Sequence, residues 1–168
     1  NLHSLIKTEV KDNELRIYTE KSIGYASSKK IMVTFKDISK ITSTSGSDVM
    51  STNTINADHL ELNTSSGSDM KLDVNTRSLS CNSSSGSDLK LSGNTGKLNA
   101  EASSGSDIKA ADLIAQSSHV TASSGADITV NTAKELTAKA SSGGDIKYYG
   151  NPEIVNKKDG PSGSISKQ

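Results

Sequence analysis

Thr44-Ser45-Gly46-Ser47-Asp48-Val49 is a phrase to which the chain keeps returning. It recurs around Gly67, Gly86, Gly105, Gly125 and Gly143, most often as Ser-Ser-Gly-Ser-Asp followed by an apolar residue. Successive glycines, starting from Gly46, stand 21, 19, 19, 20 and 18 residues apart. A period near 20 residues marks a repeat architecture, in which each unit buries its apolar side only by stacking on its neighbours.

Working outward from each glycine in steps of two gives aligned columns. Seven residues before it stand Ser39, Leu60, Leu79, Leu98, Ser118 and Leu136, and five before it Ile41, Leu62, Cys81, Ala100, Val120 and Ala138. Three before come Ser43, Thr64, Ser83, Ala102, Ala122 and Ala140, and immediately before come Ser45, Ser66, Ser85, Ser104, Ser124 and Ser142. After the glycine the columns are Ser47, Ser68, Ser87, Ser106, Ala126 and Gly144, then Val49, Met70, Leu89, Ile108, Ile128 and Ile146, then Ser51, Leu72, Leu91, Ala110, Val130 and Tyr148. Alternation with period two is the strand signature, so these columns are expected to point inward, the serines before each glycine included. The glycines Gly46, Gly67, Gly86, Gly105, Gly125 and Gly143 are structural on this reading, relieving strain where the wall bends.

Asn53-Thr54, Asn75-Thr76, Asn94-Thr95 and Asn131-Thr132 read as further corners, where the variable repeat length would be absorbed. Two or three short walls per turn make an all-β parallel β-helix-like solenoid of about 19–20 residues per coil. Six to eight coils at about 4.8 Å each form a rod roughly 30–40 Å long. A helical reading fails, because no stretch keeps apolar residues at helical spacing and Ser, Thr and Gly are poor helix formers.

The whole chain, 1–168, reads as a single domain. Residues 1–38 lack the repeat: 7–10 and 15–18 read as strands about a polar turn at 11–14, Lys30-Ile31-Met32-Val33-Thr34-Phe35 reads as a further strand, and 1–6 as a short helical turn or a loop, with the loop preferred. The abrupt opening suggests that upstream coils are missing. Repeat coils occupy 39–147. Residues 148–168 read as a cap, with Tyr148-Tyr149 and Pro152 breaking the repeat and Ser162-Gly163-Ser164-Ile165 restarting the phrase without its Asp.

Composition supports a narrow core: 32% of residues are hydrophobic, 3% are aromatic, and there is no Trp and a single Phe. Nineteen basic residues balance nineteen acidic ones, so nothing points to nucleic acid or anionic lipid. The lone Cys81 excludes an internal disulfide and a multi-cysteine zinc site. No apolar run reaches the length of a membrane-spanning helix. The absence of a signal peptide leaves a cytoplasmic protein or a mature fragment.

Three stretches carry a resemblance to a known family: Leu5-Ile6-Lys7-Thr8-Glu9-Val10-Lys11-Asp12, the Ser-Ser-Gly-Ser-Asp repeats, and Asp145-Ile146-Lys147-Tyr148-Tyr149-Gly150-Asn151-Pro152-Glu153. Together they resemble the putative auto-transporter adhesin, head GIN domain proteins of Bacteroidetes. The resemblance implies a right-handed parallel β-helix in a bacterial envelope protein, one whose targeting peptide and first strands lie outside this chain. It implies no catalytic residues.

The sharpest local chemistry is the outward column Asp48, Asp69, Asp88, Asp107, Asp127 and Asp145, a candidate calcium ladder. Calcium β-rolls repeat at nine residues and place the apolar residue two after the Asp. Here it follows at once, and Lys71, Lys90, Lys109 and Lys147 offset the charge, so solvated corner aspartates are expected. His3, His59 and His119 are scattered, and Cys81 reads as a buried structural thiol. One Arg in the repeats, Arg77, and no aromatic between Phe35 and Tyr148 speak against a polysaccharide lyase. The expected function is therefore a non-enzymatic envelope adhesin or scaffold, without cofactor, that meets a surface glycan or protein through many weak contacts. The alternatives are an end-to-end polymer resembling bactofilin filaments, and a glycan-binding or lyase-like module.

Overall fold

A computed structural model describes residues 4–26 and 28–168. It divides into two compact units, 1–35 and 36–168. In the first, β1 (Ile6–Lys11) and β2 (Glu14–Thr19) pair antiparallel, with Lys11 opposite Glu14. Asp12 and Asn13 link them, both with positive φ (50° and 63°), as the two-residue turn that matches strand twist requires. The strand–turn–strand expectation holds here. Of the expected loop at 1–6, Ser4 and Leu5 lie in a turn, Ile6 already belongs to β1, where it pairs with Thr19, and 1–3 lie outside the described residues.

Lys30–Phe35, expected as a strand, is not one. Its β-branched and aromatic residues have the propensity, but a strand exists only where a neighbour completes its hydrogen bonds. Ile31, Val33 and Phe35 remain 44–47% exposed, and Met32 77%.

The second unit is a parallel β-solenoid of about 7 turns with about 19 residues per turn, and no helix occurs among the described residues. Its strands are β3 (Lys40–Ser43), β4 (Asp48–Met50), β5 (Ile55–Thr64), β6 (Asp69–Ser83), β7 (Asp88–Ala102), β8 (Asp107–Ala122), β9 (Asp127–Ala140), β10 (Asp145–Tyr149), β11 (Ile154–Asp159) and β12 (Ser164–Lys167). Each coil lies on the one before it in register, as in Leu60↔Leu79↔Leu98, so like residues stack on like. From the second coil on, the columns seven, five and three before the glycine and one, three and five after it are buried, as alternation predicts.

The serines immediately before the glycines break that alternation. Ser45, Ser66, Ser85, Ser104, Ser124 and Ser142 are exposed rather than inward, and each has φ between 52° and 60°. The following glycines are also left-handed, with φ from 66° to 77°. Two consecutive left-handed residues turn the chain through a tight corner, which costs the strand its period for one step. Gly67, Gly86 and Gly105 are there for φ alone, since nothing lies within 4 Å of a Cβ built on them. The corners are stacked too: Gly67 N–H donates to Ser85 O (3.1 Å) and Gly86 N–H to Ser104 O (3.1 Å).

The serine after the glycine is the inward one. Ser87 Oγ donates to Ser84 O (2.8 Å), accepts from Ser84 N–H (3.2 Å) and touches Ser83 Oγ (2.9 Å) and Thr64 Oγ1 (3.2 Å). Ser68 Oγ and Ser106 Oγ reach back a coil to Ser43 O and Ser83 O, both at 2.8 Å. In later coils Ala126 and Gly144 take this place, and their backbone N–H groups close the turn on Ser123 O (3.3 Å) and Ser141 O (3.0 Å).

The Asn-Thr pairs also differ from expectation. Asn53-Thr54 lies in a bend, but Asn75-Thr76, Asn94-Thr95 and Asn131-Thr132 lie within the ladder, their threonines inward and bonded, as in Thr76 Oγ1 to Thr95 Oγ1 (2.9 Å). None of these asparagines has positive φ. Length variation is instead absorbed by register shifts flanking Ala111 to Leu113 and by the extra residue near Lys134.

Residues 154–167 continue the ladder, β11 on β9 and β12 on β10. Nor is the last phrase short of a residue: Gly160-Pro161-Ser162-Gly163 fills the four turn positions, closed by Gly163 N–H to Gly160 O (3.2 Å), and Ser164 stands opposite Asp145 in place of an Asp. Proline cannot adopt positive φ, so only Ser162 (φ 56°) is left-handed here. Tyr148 is 5% exposed, with Lys157 Nζ 4.8 Å from its ring centroid. Lys157 and Asp159 stand opposite Ala138 and Ala140, continuing two inward columns with charged residues.

Candidate functional site

The ladder brings the aspartates together. Asp48, Asp69, Asp88, Asp107, Asp127 and Asp145 are paired in sequence along one outward column, one carboxylate per coil. Beside it runs Met50, Lys71, Lys90, Lys109, Thr129 and Lys147. Among the described residues, of those lysines only Lys109 forms ion pairs with the column, at 3.0 Å to Asp107 and 3.2 Å to Asp88. The Asp107 carboxylate foremost, with Asp88 adding to it, raises the Lys109 pKa, against the opposing effect of partial burial. The expected offset of charge by four lysines thus comes down to one direct clamp.

A calcium ion takes six to eight oxygen ligands around one point. A straight column offers successive carboxylates separated by about 4.8 Å instead. Among the described residues no group of three or more His, Cys, Asp or Glu side chains is arranged to hold a metal ion.

The remaining sequence candidates are dispersed. His59 stands beside Ser78 and His119 between Asn99 and Thr137, both exposed and in different columns. His3 lies outside the described residues. Cys81 is 1% exposed between Leu62 and Ala100, and burial pushes its thiol far above the usual range, which removes it as a nucleophile at neutral pH.

A second outward feature was not legible from the repeat. Where the ladder passes from Thr76↔Thr95 to Ser78↔Lys97, the residues between them, Arg77 and Gly96, are left unpaired at a corner. A groove opens there, with Arg77, Lys97 and Lys134 on its walls. These lie on three different coils at positions that hold no constant residue type, so no column of the sequence marks them.

Comparison with solved structures places the fold. The chain is similar to a putative adhesin from Bacteroides fragilis at 24% identity, covering 98% of this chain and 77% of that one, with a TM-score of 0.83. A putative adhesin from Parabacteroides distasonis matches at 20% identity over 100% and 80% of the two chains, TM-score 0.77. A structure from the same organism described as a putative lipid binding protein matches at 22% over 99% and 80%, TM-score 0.69. At these identities the likeness is one of fold. No curated protein matches the sequence. The phrase, the corners that it builds and a family match over residues 1–152 agree, and the chain belongs to the family described as putative auto-transporter adhesin, head GIN domain.

Proposed function

We propose that this domain is a non-enzymatic adhesin or scaffold of the cell envelope, acting through the side chains that its solenoid holds outward. The observation that carries this reading is the contrast between columns. Inward positions repeat the same small or aliphatic types, whereas an outward column such as Lys40, Glu61, Ser80, Asn99, His119 and Thr137 changes at every coil although its members are paired coil to coil. A rigid backbone spares the surface the ordering cost of binding, and several weak contacts along it add through avidity. Membership of a family described as putative auto-transporter adhesins supports the same reading, and with it a surface location.

The end-to-end polymer is less favoured, because β11 turns Lys157 and Asp159 toward the columns that a further coil would have to cover. The lyase reading is less favoured, because the acids and bases gathered near Arg77, namely Asp58, His59, Lys134 and Glu135, are all exposed, without the burial by which catalytic groups are tuned. Beads coated with the folded domain, passed over mucin-coated and bare surfaces, test adhesion. Retention on mucin that rises with coating density is expected, and equal retention by heat-unfolded protein refutes it. Surface proteolysis of intact cells, followed with an antibody to the domain, checks the location. Light scattering that reveals salt-resistant filaments would favour the polymer.

A further inference from the structure

We propose that the groove at the Arg77 corner binds an acidic segment of a polysaccharide, one bearing carboxylate or sulfate groups along its length. This rests on the adhesive reading above and gives it a site. Asp58, Arg77, Gly96 and Gln116 stack at a corner where pairing skips one residue per coil. Gly96 comes so close to the coil below that a Cβ on it would lie 2.6 Å from Arg77 O. The corner ridge therefore carries no side chain between Arg77 and Gln116, and the notch is part of a groove of about 540 Å³.

The charge around it is locally positive in a chain whose formal net charge is zero. Arg77, Lys97 and Lys134 line the groove together with His59, against one acid in the lining, Glu135. Asp58 pairs with Arg77 at 3.5 Å, but both side chains are 77% exposed, so water screens the pair and leaves the guanidinium available. Coils repeat about every 4.8 Å. Arg77 on β6 and Lys97 on β7 are one coil apart, and Lys134 on β9 is two further on, a spacing suited to anionic groups recurring along an extended sugar chain. Ser78, Ser117 and Gln116 supply hydroxyl and amide partners between the charges.

Other anionic polymers fit less well. No Phe, Tyr or Trp occurs between Phe35 and Tyr148, so a nucleic acid base would find only the small imidazole of His59 to stack on. The groove lies across coils paired on both sides of the corner, without the free strand edge to which an acidic peptide would add.

Calorimetric titration of the whole domain with oligogalacturonate, a heparin-derived oligosaccharide and neutral dextran tests the site. Binding to at least one of the two acidic probes, weakening with salt, and no binding to dextran are expected. Arg77→Ala/Lys97→Ala/Lys134→Ala should lose roughly tenfold or more in affinity. Lys71→Ala/Lys90→Ala/Lys147→Ala, which removes the same charge beside the Asp column, should lose little. All six side chains are exposed, and melting curves verify that both variants fold. Equal loss in both variants, or no binding of either acidic probe by the wild type, overturns the site. If beads carrying the first variant still adhere to mucin as the wild type does, the groove is refuted while adhesion stands; if wild-type beads never adhere, adhesion itself fails.

Discussion

Replacing Ser87 by Ala separates the two serine roles within one phrase. The hydroxyl is wholly buried and takes part in contacts with Ser84 O, Ser84 N–H, Ser83 Oγ and Thr64 Oγ1. Thr64 and Ser83 keep their mutual bond at 3.0 Å and Ser83 Oγ keeps Ser87 O at 3.0 Å, so the variant strands no buried side-chain hydroxyl. What is lost is the pair of bonds to Ser84 and the contacts to Ser83 Oγ and Thr64 Oγ1, whose hydroxyls keep other partners; at about 0.5–1.5 kcal/mol net for each bond to Ser84 the cost is about 1–2 kcal/mol after partial relaxation. Ala126 occupies the same position two coils on, so the methyl fits and adds no strain. Ser85→Ala, two residues earlier, removes an exposed hydroxyl at a left-handed residue and should change stability by less than about 0.5 kcal/mol. Gly86→Ala, between them, should cost about 1–2 kcal/mol, from the left-handed backbone and not from crowding. Urea unfolding followed by circular dichroism reads all three. With a slope of about 2 kcal/mol per molar, Ser87→Ala lowers the midpoint by roughly 0.5–1 M while Ser85→Ala barely moves it. A Ser85→Ala loss equal to or larger than that of Ser87→Ala would refute the corner geometry.

Cys81 should resist a thiol reagent in the native domain and react fully in denaturant; rapid native labelling would mean that the inward column opens. The pH dependence of melting follows from two exposed or half-exposed pairs and should be shallow. Glu61, held below the usual carboxylate range by Asn63 first and Lys40 next, contributes stability present above the unfolded pKa and lost as pH falls through the folded one. Lys109, raised chiefly by Asp107, contributes below the unfolded lysine pKa and loses that contribution as pH rises through the folded one. A plateau between about pH 6 and 9 is expected, with Lys109→Met reducing the alkaline decline; an unchanged alkaline limb counts against the clamp. Millimolar calcium should leave the melting temperature where it was, since a linear carboxylate column surrounds no point in space; a rise of several degrees would contradict that reading.

The coil period, the parallel stacking and most of the core were legible in the residues themselves. Leu60, Leu79 and Leu98 recur at fixed offsets because a parallel in-register ladder sets identical positions on top of one another, which writes the fold into the chain as periodicity. Alternation failed at Ser85 because a turn of two left-handed residues resets which side faces inward, and period-two counting assumes an unbroken strand. It failed at Lys30–Phe35 because strand formation needs a partner edge, which propensity does not supply. Corner positions are the hardest to read. Arg77, Gly96 and Lys134 meet only because register shifts and skipped pairs bring different offsets to one groove, and that convergence exists only in three dimensions. Sequence alone determined the repeat and what it buries, because burial imposes the same demand on every coil. Tertiary structure alone decided which variable side chains share a face, because solvent makes no such demand.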